Sequence, residues 1–466
     1  MTENWQRERV ANVCESPAMN TIQETSVGEL LKVHGGEIKT GPFGTVLKAS
    51  EYTKMGVPLI SVREVGYGEF IIDGKTPRVD NTVTNRLPQF LLEKDDIVFG
   101  RKGAVDRSAI VSADQVGWFL GSDGIRLRLP KAVDAKFVRY QLSSVAAKNW
   151  LLQQSTGSTM ASLNQRIIER IPLTLPSLAV QQSISSLLGS FDEKIELNRK
   201  TNETLEAMAQ AIFKDWFVDF GPVRRRMEGA SEPSAILGGL LPPDAPNAAE
   251  IANLFPDRLA DNGLPEGWEE RPFSDFVTLV SGGTPKTKED SYWGGGIPWY
   301  SVVDAPSSSD VFVQSTEKTI TQAGLDNSSA RLVPDSTTII SARGTVGKLA
   351  ITAGDMTFNQ SCYALRATLY ASPWLVYLGT SRLIENLQRI SHGAVFSTIT
   401  RQTFDNVYSV NPGPALFGAC HGLLEPLFSR IRANVLQIQS LAETRDYLLP
   451  RLMSGQVSLG LGRRVA

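Results

Sequence analysis

The chain repeats itself, and a duplication restricts the possible folds more than any composition does. Val33-His34-Gly35-Gly36 is echoed by Val280-Ser281-Gly282-Gly283, an offset of 247 residues. Val57-Pro58-Leu59-Ile60-Ser61-Val62 is echoed by Ile297-Pro298-Trp299-Tyr300-Ser301-Val302 at 240, and Arg101-Lys102-Gly103-Ala104-Val105 by Ala342-Arg343-Gly344-Thr345-Val346 at 241. From the Gly157/Gly393 pair through Trp216/Leu452 the offset holds at 236. The order is kept and the offset drifts slowly, as loop insertions would cause. The period is far too long for a solenoid repeat, so the expectation is a duplicated domain pair.

Each copy has two parts. The first (Gly35 to Leu175, and Arg271 to Val410) carries short apolar runs such as Pro58-Leu59-Ile60-Ser61-Val62, Ile97-Val98-Phe99 and Thr338-Ile339-Ile340, bounded by Gly, Pro and Asp. These are strand and turn signals. Helical stretches follow near Ala135–Gln154 and Pro373–Ile390, so each first part reads as a mixed α/β domain with a strongly curved sheet.

The second part is a heptad seam. Ile184, Leu188, Phe191, Ile195, Asn198, Asn202, Leu205, Ala209, Ile212 and Trp216 step by four and three without a break. Cys420, Leu424, Leu427, Ile431, Asn434, Ile438, Leu441, Arg445, Leu448 and Leu452 do the same. More than four heptads is long for a helix packed only on its own small domain, so the two helices are expected to pair antiparallel. Asn198 and Asn434 share a heptad slot; they could form a buried polar pair or lie on a solvated edge. Pro176 and Pro414 stand before the helices, Gly221 and Gly455 after them. The expected divisions are an unassigned segment 1–25, domains 26–176 and 268–411, helices 177–220 and 412–456, a tail 457–466, and between the copies a linker 221–267 rich in Pro, Ala and Gly, with Arg224-Arg225-Arg226 as a solvated tether.

Few residues suit catalysis. His34, His392 and His421 are the only histidines, and Cys14, Cys362 and Cys420 are too scattered for a metal site or a disulfide framework. A reducing, cytoplasmic setting fits, the N-terminus is too charged for a signal peptide, and no apolar run approaches the roughly 20 residues of a membrane span. Gly344-Thr345-Val346-Gly347-Lys348 lacks the first glycine and the final hydroxyl of a phosphate-binding loop. Asn411-Pro412-Gly413-Pro414 looks superficially like an amino-methyltransferase motif but lacks its aromatic residue. A non-catalytic chain is therefore expected, with no cofactor of its own.

What remains is binding. Net charge is −2, so there is no uniformly basic coat. Gly35 to Arg170 nevertheless holds 19 Lys+Arg against 14 Asp+Glu, whereas Arg271 to Asp405 holds 11 of each. Glycine turns with cations recur: Lys39-Thr40-Gly41-Pro42-Phe43-Gly44 is set beside Gly283-Thr284-Pro285-Lys286-Thr287-Lys288, Arg101-Lys102-Gly103 beside Arg343 through Lys348, and Thr156-Gly157-Ser158-Thr159 beside His392-Gly393-Ala394-Val395. Backbone N–H groups in such turns, flanked by Lys or Arg, suit phosphate. The candidate DNA-binding residues are Lys39, Thr40, Lys48, Tyr52, Arg101, Lys102, Ser158, Thr159, Lys286, Lys288, Arg343 and Lys348. Equally, such turns in a curved sheet can be turns and nothing more.

Several of these segments resemble the specificity subunit of Type I restriction–modification systems: Lys39 through Gly44 to Tyr52, Pro58 to Val62, Thr156-Gly157-Ser158-Thr159 leading to Ile171-Pro172-Leu173, and Phe191-Asp192-Glu193-Lys194-Ile195. So do Phe213 through Pro222, Phe255-Pro256-Asp257-Arg258-Leu259 and Leu264-Pro265-Glu266-Gly267-Trp268. The resemblance implies two α/β target recognition domains, separated and joined by two long antiparallel coiled-coil helices. Each domain would read half of a split double-stranded DNA site. The helices would set the spacing and dock two methyltransferase subunits, and through them motor-nuclease subunits. S-adenosylmethionine, ATP and Mg²⁺ would bind those partner chains. The alternative is a two-domain adaptor or ligand-binding protein that uses the same scaffold without DNA.

Overall fold

In a computed structural model, the described residues are 22–155, 161–241, 247–306, 310–370, 372–390, 398–457 and 459. They form two compact units, Met1–Glu193 with Leu441–Ala466, and Lys194–Ser440. Each unit holds one mixed α/β domain and a stretch of both long helices, Leu178–Phe217 and Pro414–Met453, of 40 residues each.

The two domains have the same sheet topology. In the first, a five-stranded sheet runs Glu37–Thr40, Gly124–Arg128, Ile97–Gly100, Ser108–Ile110, Tyr67–Gly68. In the second, the order is Val277–Ser281, Cys362–Ala367, Thr338–Ser341, Leu349–Thr352, Phe312–Val313. A three-stranded sheet accompanies each: Arg78–Val79, Val57–Ile60, Phe119–Leu120, and Lys318–Ile320, Trp293–Tyr300, Thr357–Phe358. A two-stranded antiparallel ribbon, Gln23–Ser26 with Pro172–Leu175 or Glu269–Pro272 with Tyr408–Asn411, brings each domain's entry and exit together before its long helix. The central strands read as short β-branched runs because both faces are covered; Ile97, Val98, Phe99, Ile339 and Ile340 are all fully buried.

The shared registers correct two of the sequence matches. Lys39 lies opposite Arg126 as Val280 lies opposite Ala364, an offset of 241. The 247-residue match is therefore fortuitous: Val33 is in the helix Val27–His34, whereas Val280 is in a strand. Gly41 corresponds to Gly282, so the Lys39–Gly44 turn is not the counterpart of Gly283–Lys288 residue for residue.

Each helix is anchored to its domain by packing. In the first unit Ile184, Leu188, Leu449 and Leu452 share one core with Phe137 and Leu173. Buried Gln181 joins helix to domain, accepting from the Asp134 amide at 3.0 Å and donating to the Pro176 carbonyl at 2.8 Å. In the second unit Ile212, Trp216, Leu424 and Ile431 share a core with Phe273, Phe276 and Tyr370. Within 221–267, expected as a linker, the described residues include three short helices, Gly221–Met227, Pro233–Ile236 and Ala248–Asn253. Phe255 packs edge-on to Trp216 at 5.0 Å, and Arg225 pairs with Asp215 through both terminal nitrogens at 3.0 and 2.7 Å. Arg226 donates to the Ala252 carbonyl at 2.8 Å, so Arg225 and Arg226 tie this segment together while Arg224 stays exposed.

Candidate nucleic-acid interface

Strand register gathers the candidate turns of the first domain at one end of its five-stranded sheet. Thr40 ends its strand beside Ile125, Gly100 faces Gly124, Ser108 faces Phe99, and Tyr67 sits beside Ser108. The connecting loops come so close that a Cβ on Gly41 would lie 1.8 Å from the Gly121 carbonyl oxygen, so only glycine fits. Gly103, at φ 74°, turns the chain back after Lys102. The amide of Leu163 donates to Arg101 O, and that of Gly103 to Ala161 O, at 2.8 Å each, which ties residues 161–163 across this turn.

The side chains there form a cation-rich, aromatic-backed surface. Lys102 Nζ lies 3.2 Å from Asp123 Oδ1. Arg101 donates to the Ser122 carbonyl at 3.4 Å and stands over the exposed Phe43 ring at 5.4 Å. Arg107 and Lys148 both lie over Tyr67, at 5.3 and 4.6 Å, and the Tyr67 hydroxyl donates to Asp106 at 2.7 Å. Tyr52 belongs to the same neighbourhood: its pKa is raised by burial, then by the charges of Asp123 and Glu64. Thr40 accepts from Gln165 at 3.2 Å. Two candidates stand apart. Lys39 pairs with Glu37 at 2.7 Å, within the sheet, and Lys48 is exposed at the head of the Ala49–Glu51 turn with its amide on Glu51. Ser158 and Thr159 lie outside the described residues.

The second domain repeats the framework. Arg343 bridges Thr398 as Lys102 bridges Ser162. Ala342 N donates to Ser361 O as Arg101 N does to Asp123 O, and Ser341 N to Lys348 O as Gly100 N does to Arg107 O. Arg343 and Lys348, both exposed, therefore occupy the places of Lys102 and Arg107. Ser341 Oγ laces this turn, donating to Thr345 O at 2.6 Å and accepting from Lys348 N at 2.8 Å. Lys286 and Lys288 are exposed on the loop after Val277–Ser281, where the Trp293 indole donates to Lys286 O at 3.2 Å. The sequence reading missed Arg107, Tyr67 and Phe43. The 241-residue offset that joins Lys102 to Arg343 would have found Arg107 from Lys348.

The seam residues are placed as follows. In the first unit Ile184, Leu188 and Leu452 are buried, Phe191 and Leu448 are partly buried against the same core, and Leu441 is half-buried. Asp192 accepts from Arg445 at 2.7 Å and from the Tyr140 hydroxyl at 2.5 Å. In the second unit Ile195, Ile212, Trp216, Leu424, Ile431 and Ile438 are buried, Leu205 and Leu427 partly so. Phe428 rather than Leu427 is the fully buried side chain, because it stacks on Trp374 at 4.7 Å. The antiparallel pairing shows in the amides: Asn198 donates to Gln437 and Asn434 to Asn202, both at 2.8 Å. Asn198 and Asn434 are both buried, but each bonds a different partner.

No group of three or more potential metal ligands occurs among the described residues. Ser372, His421 and Glu425 line up at 3.0 and 3.8 Å like a hydrolytic triad, yet Ser372 is wholly buried and out of reach of a substrate. Burial pushes the Cys362 thiol up to about 12 and the Cys420 thiol higher still, so neither is a ready nucleophile.

The scaffold is duplicated, and each copy carries cation-bearing turns at the equivalent end of its sheet. The sequence profile of the Type I restriction modification DNA specificity domain matches residues 5–207 and 265–408, and the chain belongs to this family. It is a non-catalytic DNA-recognition subunit, which sets aside the adaptor alternative. It is 25% identical over 339 residues to the Type I restriction enzyme HindI specificity subunit of Haemophilus influenzae, covering 66% of this chain and 73% of that one. It is 23% identical over 449 residues to the MjaIX specificity subunit of Methanocaldococcus jannaschii, covering 94% and 96%. The fold is shared with the crystal structure of the Type I S subunit from M. genitalium, at a TM-score of 0.53 and 13% identity over 94% of this chain and 98% of that one.

Proposed function

We propose that each domain reads one half of a bipartite double-stranded DNA site through the sheet end that carries its cations. Arg101, Lys102 and Arg107 in the first domain, and Arg343 and Lys348 in the second, meet phosphates there. Thr40 ends the neighbouring strand, and Tyr52, Lys286 and Lys288 lie on the adjoining loops. The observation that carries this reading is the placement of Lys102 with Arg107, and of Arg343 with Lys348, at the same backbone positions of two sheets with one topology. Phosphate contacts orient a protein on the duplex, and neighbouring side chains then read base edges.

In the same proposal the long helices set the spacing between half-sites and dock two methyltransferase subunits, through which motor-nuclease subunits join. A second, solvent-facing stripe supports docking. Leu197, Lys200, Thr204, Ala207 and Ala211 on one helix, and Pro426, Ser429, Ala433, Leu436 and Ser440 on the other, are exposed and step by three and four. Apart from Lys200 these side chains are small or apolar, and at that spacing they let a further helix approach. S-adenosylmethionine, ATP and Mg²⁺ belong in this scheme to the partner chains, and the assembly works in the cytoplasm. No helix among the described residues is long and apolar enough to cross a membrane.

The test is a genome-wide map of methylated sites in cells expressing the chain with its methyltransferase partner. Exchanging residues 26–176 for those of another specificity subunit is expected to change one half-site only. Four residues inserted after Leu197 lengthen that helix by about 6 Å and are expected to alter the preferred spacer or abolish assembly. Change in both half-sites after the exchange, or an unchanged spacer in an assembled insertion variant, contradicts the respective half of the proposal.

A further inference from the structure

Phe43 is 59% exposed beside Arg101 at the cation-bearing end of the first domain's sheet. It is not a loose side chain on a loose loop. Its carbonyl accepts from Val46 N at 2.8 Å and Leu47 N at 3.1 Å, so it heads a tight turn. Leu47 pins that turn in the core, Arg86 holds the Val46 carbonyl at 3.0 Å, and Gly41 is wedged against Gly121. Arg101 covers one face of the ring. The second domain differs at both positions together: at the 241-residue offset that the strands fix up to Gly41 and Gly282, Phe43 corresponds to Thr284, which bonds Gln360, and Arg101 to Ala342. A ring and its cation have been exchanged as a unit for a hydroxyl and a methyl.

An exposed phenyl ring among cations suits a surface that has both phosphate and an apolar feature. In the grooves of a duplex, the apolar feature carried by a base edge is the thymine 5-methyl in the major groove. The other use of such a ring, as a wedge between base pairs, needs both of its faces free for stacking, and Arg101 already occupies one. We infer that Phe43, backed by Arg101, is a specificity-determining residue that contacts a thymine methyl in the first half-site, a contact with no counterpart in the second. The inference rests on the proposed reading that this sheet end faces DNA.

The test uses the chain assembled with its methyltransferase subunits and a duplex library randomised in both half-sites. With Phe43→Ala, a thymine preference at one position of the first half-site is expected to vanish while every other position holds; Phe43→Leu is expected to keep part of it. Replacing that thymine by deoxyuracil is expected to weaken the wild type about fourfold, the worth of one buried methyl, and to leave Phe43→Ala unchanged. A uniform loss on all sequences, an altered second half-site, or a wild type indifferent to deoxyuracil overturns the inference. Lys102→Ala and Arg107→Ala separate the two levels. If both weaken all sequences but Phe43→Ala retains the thymine preference, the methyl contact alone has failed. If neither matters, the sheet end does not face DNA.

Discussion

At the centre of the first five-stranded sheet lies Arg126, 2% exposed; at the same register position of the second lies Ala364. Around Arg126 the first domain gathers Glu37, the buried Asp96 at 4.0 Å, and the carbonyls of Gln89 and Leu91 at 3.3 and 3.2 Å. Arg128 adds a paired bond to Asp96 at 2.7 and 2.8 Å. In the second domain the places of Glu37 and Asp96 are taken by Thr278 and Thr337. There the Thr337 amide donates to Thr352 Oγ1 at 3.0 Å, and both hydroxyls donate to the Pro334 carbonyl. One topology is thus held by a buried ionic network in one copy and by neutral hydroxyls in the other. The strand pairing does not need the charges. They are a local solution whose members depend on one another, since a buried charge without its partner costs far more than the pair contributes.

Breaking that network is expected to give the largest effect. Arg126→Ala removes a buried guanidinium and leaves the Gln89 and Leu91 carbonyls without their donor, while Asp96 keeps its paired bond from Arg128; it should destabilise the first unit by about 3 kcal/mol. Adding Glu37→Thr and Asp96→Thr installs the second domain's residues and should recover most of the loss. Chemical unfolding of the single and triple variants checks both. A triple variant no more stable than Arg126→Ala would show that the two interiors are not interchangeable solutions.

The two proposed reading surfaces differ in a related way. Lys102 is neutralised by Asp123, whereas its counterpart Arg343 has Ser361 nearby and no carboxylate within ion-pairing distance among the described residues. Binding a phosphate at Lys102 must displace a carboxylate; at Arg343 it need not. Arg343→Ala should therefore cost more affinity than Lys102→Ala, lowering the slope of log affinity against log salt by about one unit. Asp123→Ser should tighten the first half-site and steepen the slope. A looser complex after Asp123→Ser would mean that Asp123 itself touches the DNA.

The duplication, the helix seams and the strand-rich character of each domain were legible because periodicity and Gly, Pro and Asp punctuation are local signals. The ionic network was not, because Arg126, Glu37 and Asp96 meet only through strand pairing. Val33-His34-Gly35-Gly36 misled for the converse reason: a glycine pair after a helix and one after a strand read alike. Residues 221–267 looked like a linker by composition, yet Val223, Ile236, Ile251 and Phe255 are spaced so that short helices bury them. Of the surface, Lys102, Arg343 and Lys348 were legible beside their glycines. Phe43 and Tyr67 were not, since an isolated aromatic in a sequence carries no sign of exposure.

The smallest expected effect concerns pH, where carboxylates in the two units are pushed in opposite directions. Burial works against ionisation of Glu37, but Lys39, Arg126 and Arg128 outweigh it and hold its pKa below the usual range. Its contribution is present above the ordinary carboxylate pKa and is lost as pH falls through the lowered value. Glu206 in the second unit is the reverse. Burial raises its pKa, against the donations from the Tyr377 hydroxyl at 2.6 Å and Gln210 at 3.2 Å. The folded state therefore keeps a proton that the unfolded chain has released. The associated stability is full below the ordinary glutamate pKa, near 4.3, and is lost as pH rises through the raised value. Glu206→Gln removes this ionisation while keeping an acceptor for Tyr377. It should stabilise the second unit at pH 7 by less than about 1 kcal/mol and change nothing at pH 4. Melting curves at the two pH values measure the difference. A variant that is equally displaced at both would show that Glu206 acts through packing and not through its charge.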